Sequence, residues 1–288
     1  MTRPAFISRY PVATYFALVF IISWGGVLLV IGGPGAIPDT PERTTRLFPF
    51  ALLAMLAGPF ITGLLMTGLV QGRAGLREFR SRLLTWRAGL NRYAVALLTV
   101  PVLATAILLL LSIFSPGYLP DFVTTQGKGA LLLTGLAMGV LAGLFEEPGW
   151  TGFAVPMLRR RYGIRTAGLI VGFLWGLWHF LVTFWASADG SGRFSIALLL
   201  PPLLFYVGVL PAYRVLMVWV HDRTGSLPIV MLMHASLTAC TLFILKPAVT
   251  GMALSLYYLV LTAALWGVYV AIAAANGGQL ARRSAREW

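Results

Sequence analysis

The sequence is poor in charge, and this scarcity decides its broad class. Only 11% of its 288 residues are charged, whereas 58% are hydrophobic, and the mean hydropathy is +0.83. Soluble domains carry about 25% charged residues. The single cysteine, Cys240, excludes an intrachain disulfide and a cysteine-rich metal site. We therefore predict an all-α, polytopic integral membrane protein and exclude an assembly of soluble domains.

The hydrophobic residues form eight runs, most of them with the length of about 20 residues that a membrane-spanning helix needs. No internal repeat or linker divides the chain, so we expect one transmembrane domain over residues 1–288. The fourth run is short, and we expect its helix to continue past an acidic pair to Leu158, bent at Pro148. The runs are 11–32, 47–70, 92–114, 130–146, 166–186, 195–220, 226–246 and 252–275.

The net charge of +13 lies in short basic clusters between these runs, which indicates membrane orientation and excludes a nucleic-acid partner. If the N-terminus is inside, 16 Lys and Arg residues fall in inside segments and five in outside segments. This asymmetry predicts eight helices with both termini in the cytoplasm. Residues 71–92 alternate arginines with apolar residues, which predicts an amphipathic interfacial helix on anionic lipid headgroups. A dock for an acidic substrate tail is the alternative.

A few ionisable side chains interrupt the apolar runs, and such residues mark functional sites by default. Glu146 and Glu147 end the fourth run, and His179 and His234 lie in the fifth and seventh. At a rise of 1.5 Å per residue, Glu146 is expected in the cytoplasmic third of the membrane. Both histidines are expected between the inner half and the midplane. We therefore expect an aqueous pocket that opens to the cytoplasm.

Two chemical schemes fit these side chains. Glu146, His179 and His234 could bind Zn²⁺ or another divalent metal, with a water as fourth ligand and Glu147 as general base. Without a metal, Glu146 and His179 would activate the water, while His234 would help to hold the oxyanion. The simpler reading makes each histidine an interhelical hydrogen-bond partner and pairs a glutamate with Arg214.

Three stretches, from Glu146 to Phe153, from Gly172 to His179 and from Thr224 to Ser236, resemble successive motifs of the CPBP family. These are the CAAX-protease and bacteriocin-processing intramembrane proteases, also called Abi proteins. The resemblance covers roughly residues 55–240. The family pattern is Glu-Glu-x-x-x-Arg, then an aromatic residue four positions before a histidine, then His-x-x-x-Asn. Its positions fall on Glu146, Glu147, Trp175, His179 and His234.

The sequence departs from this pattern twice. Thr151 stands at the arginine position and Thr238 at the asparagine position. Without the arginine, we expect either that one glutamate takes up a proton or that another cation such as Arg214 substitutes. Thr238 keeps a hydroxyl and is retained as a candidate site residue.

The resemblance implies an endopeptidase of the type II CAAX prenyl endopeptidase kind in a prokaryotic cell membrane. Its substrate would be a membrane-embedded or lipid-anchored peptide, or a protein C-terminus. Thr151 and Thr238 favour one alternative, which is an inactive family-like scaffold or a bacteriocin-immunity or regulatory protein. A second alternative is a transporter that uses the Glu/His cluster as a proton relay.

Overall fold

The computed structural model describes residues 5–276, and this part of the chain is 83% helical, without strands. It contains eight helical segments that are long and apolar enough to cross a membrane. This confirms the predicted fold class and number of spans. The segments are α1 (Pro11–Ile31), α2 (Pro41–Leu83), α3 (Leu90–Ser112), α4 (Lys128–Arg159), α5 (Ile164–Trp185), α6 (Ile196–Thr224), α7 (Leu227–Ile244) and α8 (Gly251–Ala275).

The fourth span is longer than the apolar run from which it was predicted. It passes Pro148 through a π-helical turn, Trp150–Ala154, and continues to Arg159. Glu146 is thus the nineteenth of 32 residues and lies near the middle of the span. The expected continuation of this helix past the acidic pair to Leu158 is thereby confirmed.

The predicted amphipathic helix over 71–92 is helical in its first half only. The helix covers Gly72–Leu83, and its arginines are mostly exposed. Gly89 then adopts a φ of 79°, which favours glycine, and the next span begins at Leu90. This helix is the last part of α2, and a second π-helical turn, Thr67–Gln71, joins it to the first part of that segment.

The arginine-rich loops gather at one end of the bundle. The Arg159 guanidinium pairs with the Asp222 carboxylate at 2.6 Å. Arg92 Nη1 donates to the backbone oxygen of Arg223 at 2.9 Å. These contacts join the start of α3 to the end of α6 and the end of α4 to the end of α6, and we call this the arginine-rich end. Arg3, Arg282, Arg283 and Arg286, which entered the charge count, lie outside the described residues.

The opposite end is closed by contacts between the remaining loops. The backbone N–H of Asp39 donates to the Trp185 carbonyl at 2.9 Å, and the indole of Trp185 donates to the Asp39 carboxylate at 3.2 Å. The backbone N–H of Asp121 donates to the Lys246 carbonyl at 2.8 Å. These contacts fix the ends of α5 and α7 that lie farthest from the arginine-rich loops.

Glycines allow α4 and α7 to pack almost backbone to backbone. A Cβ on Gly139 would lie 2.4 Å from the Ala235 carbonyl oxygen, and one on Gly143 would lie 2.5 Å from that of Met231. Any side chain at these positions would force the helices apart, as in other small-residue membrane interfaces. The close approach places His234 of α7 beside the acidic pair of α4.

A second glycine contact joins α5 to α6. A Cβ on Gly172 would lie 2.5 Å from the Cα of Pro211, and one on Gly168 would lie 2.7 Å from the Cα of Val215. This packing places Arg214, which lies between those two α6 residues, against Trp175 of α5. The guanidinium carbon lies 4.1 Å from the centroid of the indole ring, within cation–π distance.

Candidate active site

Glu147 is fully buried, and each carboxylate oxygen accepts two hydrogen bonds. Arg214 donates from Nη1 to Oε2 at 2.8 Å and from Nη2 to Oε1 at 3.0 Å. The Thr151 hydroxyl donates to Oε2 at 2.5 Å, and His234 Nδ1 lies 2.7 Å from Oε1. A buried carboxylate is tolerated only when it is paired and hydrogen-bonded in this way. We call these four residues the buried ion-pair network.

Arg214 supplies the cation that the family pattern would place at position 151. Its forked guanidinium binds Glu147 with two parallel hydrogen bonds, the strongest geometry for such a pair. Nη1 also donates to the Thr151 hydroxyl at 3.3 Å. Of the two expectations for the missing arginine, the structure therefore shows the substitution by Arg214.

Glu146 is 4% exposed and lies in a different environment from its neighbour. Its Oε2 accepts from the indole N–H of Trp175 at 2.7 Å and from that of Trp150 at 3.2 Å. An indole can donate but cannot accept a hydrogen bond. Because both donors bind the same oxygen, they orient the carboxylate without occupying Oε1.

His179 is held in one tautomer by the backbone. Its Nδ1 lies 2.8 Å from the carbonyl oxygen of Trp175, which can only accept a hydrogen bond. Nδ1 therefore carries the proton, and Nε2 of the neutral ring bears a lone pair. The ring stacks on Tyr206 of α6, with a centroid distance of 4.6 Å and an interplanar angle of 11°. Backbone and aromatic contacts thus orient Nε2 as a proton acceptor or a metal ligand.

His234 bridges the two glutamates. Its Nδ1 donates to the Glu147 carboxylate at 2.7 Å, while its Nε2 lies 3.9 Å from Glu146 Oε2. Trp175 packs edge-on against the imidazole at 4.8 Å between centroids. A hydrogen bond from one ring nitrogen to a carboxylate fixes the tautomer and raises the basicity of the other. Glu147 therefore acts on the site through His234.

A cavity of about 230 Å³ brings most of the predicted site residues together. Glu146, His179, His234 and Thr238 all line it, whereas Glu147 lies behind its wall. Trp178 also lines it. The rest of the lining is mostly apolar and includes Phe48, Leu52, Met55, Leu141, Phe205 and Leu242.

Glu146, His179 and His234, the predicted metal ligands, all line the cavity. Both imidazoles use Nδ1 for a hydrogen bond, which is how metal-binding histidines are usually supported. Within residues 5–276, however, no three His, Cys, Asp or Glu side chains are close enough to hold a metal ion. The side chains form no three-ligand centre in this arrangement, and the steps below use the protein groups alone.

Two members of the site were missed by the sequence analysis. Trp150 donates to Glu146 from four residues farther along the chain, a spacing that places both on one helix face. The spacing of four residues could therefore have predicted Trp150 as a partner of Glu146. Tyr206 lies in a π-helical turn, Phe205–Val209, and no polar spacing marks it. Such turns occur frequently at functional sites, and Trp150 begins another one.

Comparison with known proteins gives two matches. A family model described as "Type II CAAX prenyl endopeptidase Rce1-like" matches residues 128–240, the range that contains all the predicted site residues and Arg214. The CAAX prenyl protease 2 of the archaeon Methanococcus maripaludis is 27% identical over 184 residues. The aligned part is 61% of this chain and 64% of the length of that relative. These matches confirm the resemblance of the chain to the CPBP family that its three motifs predict.

Proposed function

We propose that the protein is an intramembrane endopeptidase that hydrolyses a peptide bond with water activated by Glu146 and His179. The observation that carries this proposal is the division of the acidic pair. Glu146 lines a cavity together with His179 and His234, while Glu147 is neutralised behind the wall by Arg214. One carboxylate is thus available to a substrate, and the other fixes the histidine next to it.

The first step is the activation of water. The carboxylate of Glu146 and the Nε2 lone pair of His179 are the proton acceptors that the cavity offers. One of them takes a proton while the water oxygen attacks the carbonyl carbon of the scissile peptide bond. The tetrahedral intermediate then collapses, the C–N bond breaks, and the proton passes to the leaving nitrogen. The products are a new carboxyl terminus and a free amine.

His234 is the proposed donor to the oxyanion. This role needs a hydrogen on both ring nitrogens of His234, which lies between the carboxylates of Glu146 and Glu147. Nδ1–H then donates to Glu147, and Nε2–H remains for the carbonyl oxygen of the substrate. The gap of 3.9 Å between Nε2 and Glu146 Oε2 allows one oxygen atom in the cavity to contact both.

The proposed substrate is a membrane-embedded or lipid-anchored peptide, or a protein C-terminus. The mostly apolar lining of the cavity and the type of protease named in the matched relative support it. Anionic lipid headgroups are a proposed second partner, and the exposed Arg73, Arg77 and Arg80 of the helix Gly72–Leu83 support this. The threonine at position 151 favoured an inactive scaffold in the sequence. Arg214 supplies the guanidinium that this position lacks, which weakens that alternative.

Cleavage of a fluorogenic prenylated C-terminal peptide by the purified protein in lipid nanodiscs tests the proposal. Glu146→Gln and His179→Gln are each expected to lower kcat about 10²–10⁴-fold, because each removes a proton acceptor. The exposed Glu42→Gln at the far end of the bundle is the matched control. Thermal unfolding of each variant checks that it folds.

Two outcomes would contradict the proposal. Full cleavage by either variant removes its residue from the mechanism. A folded wild-type protein that cleaves neither the prenylated peptide nor its unmodified form supports the inactive scaffold instead. A divalent metal such as Zn²⁺ on Glu146, His179 and His234 remains a separate prediction, and lost activity in chelator with recovery on metal addition would support it.

A further inference from the structure

A second cavity lies at the arginine-rich end, between the start of α1, the end of α4 and the first half of α5. Its volume is about 530 Å³, larger than the 230 Å³ of the cavity beside Glu146, and none of the described residues lines both. Its lining residues in the described part of the chain also exclude the helix Gly72–Leu83, which carries the headgroup surface proposed above. We call this second cavity, which Arg9, Arg160 and Arg161 line, the arginine pocket.

The charged groups of the arginine pocket are all positive. Arg9, Arg160 and Arg161 line it, whereas no aspartate or glutamate of the described part of the chain does. Within residues 5–276 these three guanidinium groups also form no ion pair with a carboxylate. Because the positive charge around the pocket is not matched by the protein, the pocket favours an anionic ligand.

The consecutive arginines at the end of α4 have different surroundings. Arg159 pairs with the Asp222 carboxylate at 2.6 Å, and its Nη1 donates to the Tyr162 carbonyl at 2.6 Å. Its guanidinium therefore holds the loop after α4 against α6. Arg160 and Arg161 are exposed and line the pocket instead. The unpaired charge of this loop thus lies on the two residues that a ligand in the pocket can reach.

The polarity of the pocket lining changes with depth in the membrane. Arg9 and Tyr10 precede α1, whereas Phe16 lies five residues after the start of that span, roughly 7.5 Å along its axis. On α5 the lining residues are Ile170 and Leu174, which lie six and ten residues after the start of the span. Charged groups therefore surround the outer part of the pocket and apolar groups the inner part. A phospholipid has the same order of polarity from its head group to its acyl chains.

Two partly exposed tyrosines lie among the arginines of the pocket. Tyr10 is 45% exposed and Tyr162 is 44% exposed, and both line the pocket. The guanidinium carbon of Arg9 lies 5.3 Å from the centroid of the Tyr10 ring, within cation–π distance. Tyrosines are enriched at the level of the lipid head groups, and their hydroxyls can donate to phosphate or ester oxygens. The outer part of the pocket thus has the composition of a membrane interface.

We propose that the arginine pocket binds the head group of one anionic phospholipid, with an acyl chain against Ile170 and Leu174. Guanidinium groups bind phosphate through paired hydrogen bonds, and basic pockets between membrane helices bind anionic head groups. A soluble phosphate compound would match the charge but would leave the apolar part of the pocket uncovered. The pocket is separate from the candidate active site, so the proposal does not depend on the proposed enzyme function.

A lipid in this pocket would contact three spans at once. The lining comes from α1, α4 and α5 and from the residues that flank them. Phe16 of α1, which lines the pocket, stacks on Trp150 of α4 with 5.8 Å between centroids and an interplanar angle of 23°. A bound lipid should therefore stabilise the packing of α1 on α4, and it should raise the unfolding temperature because it binds the folded state.

Lipid binding to the purified full chain in detergent tests the proposal. Phosphatidylglycerol is the probe, native mass spectrometry measures the fraction of protein that carries it, and thermal unfolding measures the stabilisation. Phosphatidylcholine, which has a phosphate but no net charge, is the lipid control. Inorganic phosphate and glycerol phosphate are the soluble controls. We expect phosphatidylglycerol to bind and to raise the unfolding temperature, and the three controls to do neither at the same concentration.

Substitutions at the pocket should remove this binding. Arg160→Gln combined with Arg161→Gln should weaken the binding of phosphatidylglycerol at least about tenfold, because it removes two of the three charges. Arg77→Gln combined with Arg165→Gln removes the same charge from exposed positions outside the pocket, and it should change binding less than about twofold. Ile170→Trp keeps every arginine but fills the apolar part of the pocket, so it should also weaken lipid binding.

Three outcomes would overturn the proposal. Equal losses in the two double variants would mean that the lipid responds to net charge and not to the pocket. Binding of phosphatidylcholine as tight as that of phosphatidylglycerol would remove the role of the arginines. Full stabilisation by inorganic phosphate, unchanged in Ile170→Trp, would assign the pocket to a soluble phosphate compound. Circular dichroism without lipid checks that each variant folds, and Ile170→Trp tests the pocket separately if the arginine variant does not fold.

Discussion

Glu146 and Glu147 are neighbours in sequence, but they lie in opposite kinds of surroundings. Glu147 is fully buried and accepts four hydrogen bonds. Two come from Arg214, one from His234 and one from the Thr151 hydroxyl. Glu146 faces a cavity and is held at one oxygen by two neutral indoles. Consecutive helical residues point about 100° apart, so one helix turn can serve both purposes.

The difference teaches how a membrane protein can keep a reactive carboxylate. The charge of Glu147 is matched inside the protein, and its carboxylate is used to fix His234. Glu146 is held by two neutral indoles at one oxygen, so its carboxylate remains available to bind water and substrate. Substitutions on the two sides should therefore separate stability from activity.

Loss of Arg214 should have the largest effect. Arg214→Met leaves Glu147 buried without its main partner, and we expect a loss of about 3–5 kcal/mol in the free energy of unfolding. Thermal or denaturant unfolding in detergent measures it. Arg193→Met, in an exposed loop, is the control. The double variant Arg214→Met with Glu147→Leu should recover much of the stability, and failure to do so would point to lost packing instead of an unpaired charge.

Trp175→Phe should have the second-largest effect, and this effect should be on activity and not on stability. The ring remains over Arg214, but Glu146 loses the donor at 2.7 Å. A hydrogen bond to a charged group contributes about 1.5–3 kcal/mol, so kcat should fall about 10–100-fold while the protein stays folded. Trp219→Phe is the matched control, since its indole N–H has no hydrogen-bond partner within residues 5–276. Equal losses in both variants would contradict the positioning role.

Thr151→Val tests the contribution of the hydroxyl to the buried ion-pair network. Glu147 keeps its bonds to Arg214 and His234 and loses one neutral donor. We expect a destabilisation of about 1 kcal/mol, measured by the same unfolding assay. Thr151→Ser keeps the hydroxyl and should behave like the wild type. A loss as large as that of Arg214→Met would mean that the hydroxyl, and not the guanidinium, holds the carboxylate.

Thr238 should show the smallest effect. It lines the cavity, but its hydroxyl makes no hydrogen bond with another side chain of the site in the described part of the chain. Thr238→Val should therefore change kcat/KM for the reporter peptide less than about tenfold, since a single uncharged hydrogen bond contributes about 1 kcal/mol. Thr238→Asn restores the family residue and serves as the comparison. A loss above 100-fold in the valine variant would make the hydroxyl part of the mechanism.

The sequence predicted the spans well, because length and hydropathy decide which segments can cross a membrane. It also named Glu146, His179 and His234, since ionisable residues are rare in apolar runs. It gave Glu146 the primary role, but it could not show that Glu147 lies behind the wall of the cavity. That depends on rotations set by the π-helical turn after Glu147 and by the close approach of α7, and both are tertiary effects.

The course of α4 and the lining of the cavity were also beyond the sequence. The sequence predicted that α4 continues past Pro148, but it did not predict the π-helical turn, Trp150–Ala154, through which the helix does so. The lining of the cavity depends on which apolar residues the packing brings beside it, such as Phe48 and Leu242. Nothing in their local sequence distinguishes them from residues that face lipid elsewhere.

The glycines between α4 and α7 carry a consequence for how this protein can evolve. A threonine can stand at position 151 because Arg214 of α6 supplies the cation that an arginine there would provide, so position 151 tolerates substitution. Gly139 and Gly143 have no such alternative, since even one methyl group would meet backbone atoms of the helix that carries His234. Neutral drift should therefore be freer among the polar residues around Glu147 than at these two positions, which make no hydrogen bond through a side chain at all.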